Sequence, residues 1–265
     1  MGANSIRVYS MISRQLSGGK DDPIPDPGTG NHFQHKQFLD MCWNNGNKPI
    51  YVLVGIPLPD VCFRADITPK AKEIAFWEYV LEETVNDTKD HPAVLGYVIM
   101  NEHDAEPTSF PRDPNAPTNG PYVPGEPSAL TEYFYGQTVK YADQVKTAAP
   151  KKLVGWALHD VPEFVQFAAA KPNPGPTYME QLTSFDFWGV NTYHNDSLNA
   201  IFGTNSAGNY TSLPSNVRKP VIFTEFGWPA TTHKDGKLYE DATTHANVAK
   251  AVTDRYKEAF DNPLL

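Results

Sequence analysis

Two glutamates in this 265-residue sequence each close a run of apolar residues: Glu102 in Val98-Ile-Met-Asn-Glu, and Glu225 in Val221-Ile-Phe-Thr-Glu-Phe-Gly-Trp. Such a run reads as a buried strand, and a carboxylate at its end is costly unless paired or hydrogen-bonded. Two of them at one rim of a sheet could share a task. Glycosidic bond cleavage needs such a pair, one carboxylic acid to protonate the leaving oxygen and one carboxylate to act as nucleophile. The alternative is structural: each glutamate does no more than neutralise a buried arginine.

Hydrophobic patterning supplies the framework that holds the two glutamates. Six short β-branched runs, Ser5 to Ser10, Ile50 to Ile56, Val94 to Met100, Leu153 to Leu158, Phe185 to Asn191 and Val221 to Thr224, alternate with amphipathic stretches. That is the pattern of βα units on a parallel sheet, with most strands buried on both faces. Between them, Ile74, Trp77, Leu81 and Val85 recur at helical spacing, as do Leu130, Phe134, Thr138, Tyr141 and Val145. A further helix is expected over Thr243 to Phe260. Helix-to-strand links are short, whereas the strand-to-helix links Ser13 to Asn31, Asp104 to Pro127 and His194 to Lys219 are long. Long loops at the carboxyl ends of parallel strands are where α/β barrels build their sites.

Charge and composition exclude several classes. With 22 Lys+Arg against 31 Asp+Glu the net charge is -9 and no basic run could track a phosphate backbone, so nucleic acid is not expected as a partner. No apolar stretch approaches the roughly 20 residues that span a bilayer. The first residues lack the basic and apolar regions of a secretory leader, and three Asn-x-Ser/Thr sequons, at Asn86, Asn195 and Asn209, are about what chance supplies, so the compartment is not written in the chain. Cys42 and Cys62 are too few for a thiolate metal cage and sit badly for a bridge, so free thiols are expected. No cofactor is implied.

Three pairs, His103-Asp104, His159-Asp160 and His194-Asn195, come directly after three successive strands and could line a cleft. Histidines on successive barrel strands can also assemble a metal site, but no His-x-His pair begins one here, so no metal is expected and His159 is taken as a substrate contact.

Asn101-Glu102 at one strand end, Tyr193 in Gly189-Val-Asn-Thr-Tyr, and Glu225 in Thr224-Glu-Phe-Gly-Trp-Pro resemble the signature of the large clan of retaining glycoside hydrolases on (β/α)8 barrels, clan A. In that clan the Asn-Glu pair ends the fourth strand, the tyrosine the sixth and the nucleophile the seventh. If the first strand here matches the clan's second, the same three positions fall on those strands. Ile6-Arg-Val-Tyr, the Asn-Glu pair and Glu225-Phe-Gly-Trp-Pro are most similar to β-1,3-glucanases of family 17 and β-1,3-glucanosyltransferases of family 72. Family 17 typically has Gly-Asn-Glu-Val and Glu-Ser-Gly-Trp-Pro where this chain has Met100-Asn-Glu-His and Glu-Phe-Gly-Trp-Pro.

The resemblance implies a (β/α)8-type α/β barrel, with six βα units here, over one catalytic domain spanning residues 1–265. It implies Glu102 as general acid/base and Glu225 as nucleophile. Asn101 would meet the sugar 2-hydroxyl, Arg7 and Tyr193 would orient Glu225, and Tyr9 and Trp228 would complete the sugar site. The substrate would be a neutral β-glucan oligosaccharide or polysaccharide, met outside the cytosol. The first and eighth strands of the barrel are unaccounted for, so the expectation is a fragment of a longer polypeptide or a barrel open between its second and seventh strands. A carbohydrate-binding barrel without turnover, or a metal-dependent hydrolase, are the competing readings.

Overall fold

The computed structural model describes residues 4–14, 28, 31–65, 67–69, 72–102, 129–159, 175–192, 215, 218–226, 232–234, 237–239 and 242–261. Six parallel strands stand in sheet order identical to chain order: β1 (Ser5–Val8), β2 (Tyr51–Gly55), β3 (Val94–Asn101), β4 (Leu153–His159), β5 (Trp188–Thr192) and β6 (Val221–Phe226). All six expected strands are present, with ends shifted by a few residues; the fifth starts at Trp188, because Phe187 makes only an isolated bridge to Gly155.

The sheet is curled into part of a (β/α)8 barrel. In a flat sheet five spacings of about 4.8 Å would hold β1 and β6 roughly 24 Å apart, beyond the reach of two side chains. Arg7 of β1 nevertheless donates from Nη1 to Glu225 Oε1 of β6 at 2.9 Å.

Alternation sorts the strand residues into two cores. On β4, Val154, Trp156 and Leu158 face outward into the large core beneath the helices, while Ala157 turns inward with Leu53, Val98 and Phe187. These four, from adjacent segments, form a layer filling the barrel interior below its carboxyl rim. Gly155 is the space that admits Phe187: a Cβ there would lie 2.5 Å from the phenyl ring.

The outer layer contains α1 (Lys36–Trp43), α2 (Glu73–Thr88), α3 (Ala129–Ala148) and the short α4 (Tyr178–Gln181); a fifth helix, α5 (Ala242–Asp261), is the last described element. On α2 the buried face is Phe76, Trp77, Val80, Leu81, Thr84, Val85 and Thr88, and on α3 Phe134, Thr138, Tyr141 and Val145 are buried at the expected spacing. Thr88 suits this apolar face because its hydroxyl is satisfied, donating to the Thr84 carbonyl at 2.6 Å and meeting the Tyr97 hydroxyl at 2.9 Å. α4 starts with a capping box, in which Thr177 accepts from the Glu180 amide and Glu180 accepts in return from the Thr177 amide. Tyr178 then stacks on Tyr135 of α3 at 4.1 Å, tying this turn to the outer layer.

Both cysteines are free and buried, Cys42 late in α1 and Cys62 in a 3-10 turn after β2. An antiparallel hairpin of β7 (Thr232–Lys234) and β8 (Lys237–Tyr239) was not expected from the patterning. Its signal was present in Asp235-Gly236, a dipeptide favoured in tight hairpin turns, but its arms are short and polar. Among the described residues no helix is long and apolar enough to cross a membrane.

Candidate active site

Both glutamates stand at the carboxyl rim, and a β-bulge precedes each. On β3, Val98 pairs with Gly155 but Asn101 with Ala157, so three steps on β3 match two on β4. On β6, Phe223 pairs with Val190 and Glu225 with Asn191, so two steps match one. An extra residue breaks strict alternation and re-aims the side chains beyond it. In consequence the adjacent residues Thr224 and Glu225 both reach Asn191 of β5; Asn101 and Glu102, beyond the bulge on β3, reach it as well.

Glu102 takes a further step out of regular geometry. Its φ is 56°, a left-handed conformation that costs a non-glycine residue about 1–3 kcal/mol and tends to persist where function requires it. The strained residue is anchored from the neighbouring strand, its amide donating to the Ala157 carbonyl at 2.8 Å.

Arg7 and Asn191 organise the cluster. The Arg7 guanidinium donates to Glu225 Oε1, to Asn101 Oδ1 at 2.7 Å and to Asn191 Oδ1 at 3.3 Å. The Arg7 and Glu225 side chains are 7% and 11% exposed, so this ion pair is largely withdrawn from water. Asn191 Nδ2 donates to Glu102 Oε1 at 2.8 Å, Glu225 Oε1 at 2.9 Å and Asn101 Oδ1 at 3.1 Å, three acceptors on two N–H groups. On its other side Thr224 Oγ1 donates to Asn191 Oδ1 at 2.7 Å. The two carbonyl-side donors fix which end of the amide faces the carboxylates.

Tyr9 closes the group from the end of β1. Its ring is half-exposed and lies 4.6 Å from the Arg7 guanidinium carbon, in cation–π range. Its hydroxyl is held above the ordinary tyrosine range by burial of that end, and then by the negative charge of Glu225, to which it hydrogen-bonds. Tyr9 therefore remains a neutral donor to Glu225 well into alkaline solution.

The structure thus brings together Arg7, Tyr9, Asn101, Glu102 and Glu225 of the residues singled out by sequence. His159 ends β4 in register with Asn191. Tyr193 and Trp228 lie outside the described residues, as do His103, Asp104, Asp160, His194 and Asn195. Asn191 and Thr224 were not singled out, although each is a polar residue closing an apolar run, the same signal that marked the glutamates. Among the described residues no group of three or more His, Cys, Asp or Glu is arranged to hold a metal ion.

No known family profile matches this sequence, and no curated protein matches it. Solved structures match its fold. A GH2 β-galacturonidase from Eisenbergiella tayi superposes with a TM-score of 0.57 at 14% identity, over 99% of this chain and 36% of that one. A β-glucuronidase from Bacteroides uniformis gives a TM-score of 0.56 at 15% identity, over 100% of this chain and 25% of that one. A psychrophilic glycoside hydrolase family 10 endo-β-1,4-xylanase gives 0.54 at 15% identity, over 97% of this chain and 73% of that one. The chain spans well under half the length of the galacturonidase and the glucuronidase. At these identities the likeness is one of fold, a partial (β/α)8 barrel.

Proposed function

We propose that this chain carries the catalytic centre of a retaining glycoside hydrolase or transglycosylase acting on β-glucan, β-1,3-linked as in the families its strand-end motifs resemble. One observation carries the reading. A single nitrogen, Asn191 Nδ2, reaches both Glu102 Oε1 and Glu225 Oε1, so those oxygens lie no more than about 5.7 Å apart, inside the ~6.5 Å at which inverting pairs begin. A separation of that order suits a nucleophile that attacks the sugar directly better than a base that must hold a water between itself and the sugar. The fold neighbours, named as a galacturonidase, a glucuronidase and a xylanase, are also consistent with chemistry on a glycosidic bond.

In this reading Glu225 attacks the anomeric carbon while Glu102 protonates the departing oxygen. The resulting glycosyl ester on Glu225 is resolved when Glu102 takes a proton from water, giving hydrolysis, or from a sugar hydroxyl, giving transfer. Arg7 and Tyr9, converging on Glu225, suit the partner that must act as an anion and then leave as one. Asn101, already turned into the cluster by Arg7, would meet the sugar 2-hydroxyl. The net charge of -9 and the amide and aromatic groups at the site favour a neutral glycan.

The test is product analysis of the purified chain with β-1,3-glucan oligosaccharides, with xylo-oligosaccharides and aryl β-glucuronides in parallel and Glu225→Ala as control. Shorter or longer glucan oligomers that vanish in the control are expected. Turnover only of xylan or uronide would move the substrate class, and no products from a chain folded by circular dichroism would overturn the reading.

A further inference from the structure

We infer that Asn191 is a positioning residue for both carboxylates, its carboxamide setting their separation while Thr224 and Arg7 lock its orientation; as an account of turnover this rests on the glycosidase reading above. Asn191 is fully buried, and its Nδ2 spans Glu102 and Glu225, which come from strands two places and one place away in the sheet. A carboxamide reaching two carboxyl groups with one nitrogen cannot relax toward either without lengthening the other contact. Its opposite end cannot rotate, because Oδ1 already accepts from Thr224 and Arg7. Rotation by a half-turn would set Oδ1 against two carboxylates and Nδ2 against two donors, all repulsive. The bulge on β6 serves this arrangement, since in a regular strand Thr224 and Glu225 would point to opposite faces.

The arrangement predicts a kinetic signature unlike that of either glutamate. Loss of an acid/base residue spares substrates with good leaving groups, because those need no protonation. Loss of Asn191 misplaces nucleophile and acid together. Asn191→Ala should therefore lower kcat by about a hundredfold on both a β-1,3-glucan oligosaccharide and a dinitrophenyl β-glucoside, with KM little changed. Asn191→Asp is isosteric but replaces the donor with a third carboxyl group. Its residual activity should rise as pH is lowered, where the parent's falls, because only a protonated Asp side chain can donate again. Thr224→Val, which removes only the hydroxyl that orients the amide, should cost about tenfold in kcat, in the range of one hydrogen bond.

An experiment independent of turnover separates this inference from the glycosidase reading. In the 15N-labelled chain of residues 1–265, the Asn191 side-chain amide signals are assigned by their loss in Asn191→Ala. They should then shift in both Glu102→Gln and Glu225→Gln. Signals that respond to neither or to only one glutamate, or an Asn191→Ala or Thr224→Val chain that turns over both substrates at the parent's rate, would overturn the inference. Responsive signals in a chain that cleaves no glycan would uphold the positioning geometry while the glycosidase reading fell.

Discussion

Arg7 and Glu225, 218 residues apart in sequence and on the first and sixth strands of the sheet, meet at 2.9 Å inside the barrel rim. The contact binds the two ends of the strand array across the mouth of the site. It also charges one residue with two duties, curvature of the sheet and orientation of a carboxylate.

Removing one side of this largely buried pair should leave the other uncompensated. Arg7→Ala is expected to cost about 3–5 kcal/mol in a urea titration. The double variant Arg7→Ala/Glu225→Gln should recover part of that loss, because the stranded charge is gone. Strict additivity of the two single changes would show that the pair is not coupled.

The two glutamates should fail in different ways. Glu225→Ala is expected to abolish glycosyl transfer from every substrate. Glu102→Ala should lose about 10²–10⁴-fold on the polymer but far less on a dinitrophenyl glycoside, and azide should restore its turnover as a glycosyl azide product. Full activity of either variant on the polymer would contradict the assignment.

The position of each strand was legible because buried parallel strands write themselves as unbroken apolar runs, and Glu102 and Glu225 stood out as charges ending such runs. The same continuity hid the bulges. Where both faces of a strand are apolar, no alternation is visible, so an extra residue at Ile99-Met100 or Thr224 leaves no trace in the pattern. Asn191 is inconspicuous in the sequence for a related reason: an uncharged amide in Trp188-Gly-Val-Asn-Thr looks like a minor interruption, and only the folded sheet shows it facing two carboxyl groups from other strands. Family resemblance points instead to Tyr193, two residues further on.

Backbone contact constrains Gly189 more tightly than any ligand. A Cβ there would lie 1.8 Å from the Trp156 carbonyl oxygen, which belongs to the neighbouring strand and cannot swing aside. Gly189→Ala is expected to destabilise the chain by about 3 kcal/mol through forced separation of β4 and β5. An unchanged urea midpoint would refute the close packing of these strands.

Alkaline solution should unfold the chain progressively. Burial pushes the Cys62 thiol up to about 12 and raises the hydroxyls of Tyr97 and Tyr141 above the usual tyrosine range. Each group is thus more readily ionised when unfolded, so its stabilising contribution is complete below about pH 9 and is lost as pH rises toward 12 and beyond. Urea midpoints falling between pH 8 and pH 11, with Cys62 inert to iodoacetamide at pH 8 until denaturant is added, would bear this out. A midpoint that stays level would not.

The bulges before Glu102 and Glu225 make each strand sensitive to length in a way that substitution does not probe. Deleting Thr224 would let β6 pair with β5 as a regular ladder. Glu225, now next to the outward-facing Phe223, would still face the rim beside Asn191, but the hydroxyl that orients the Asn191 amide would be gone. The shortened chain would have a tidier sheet and a less firmly held carboxamide at its rim. Irregularity in these two strands is therefore the part of the architecture that a smoothing redesign must leave alone.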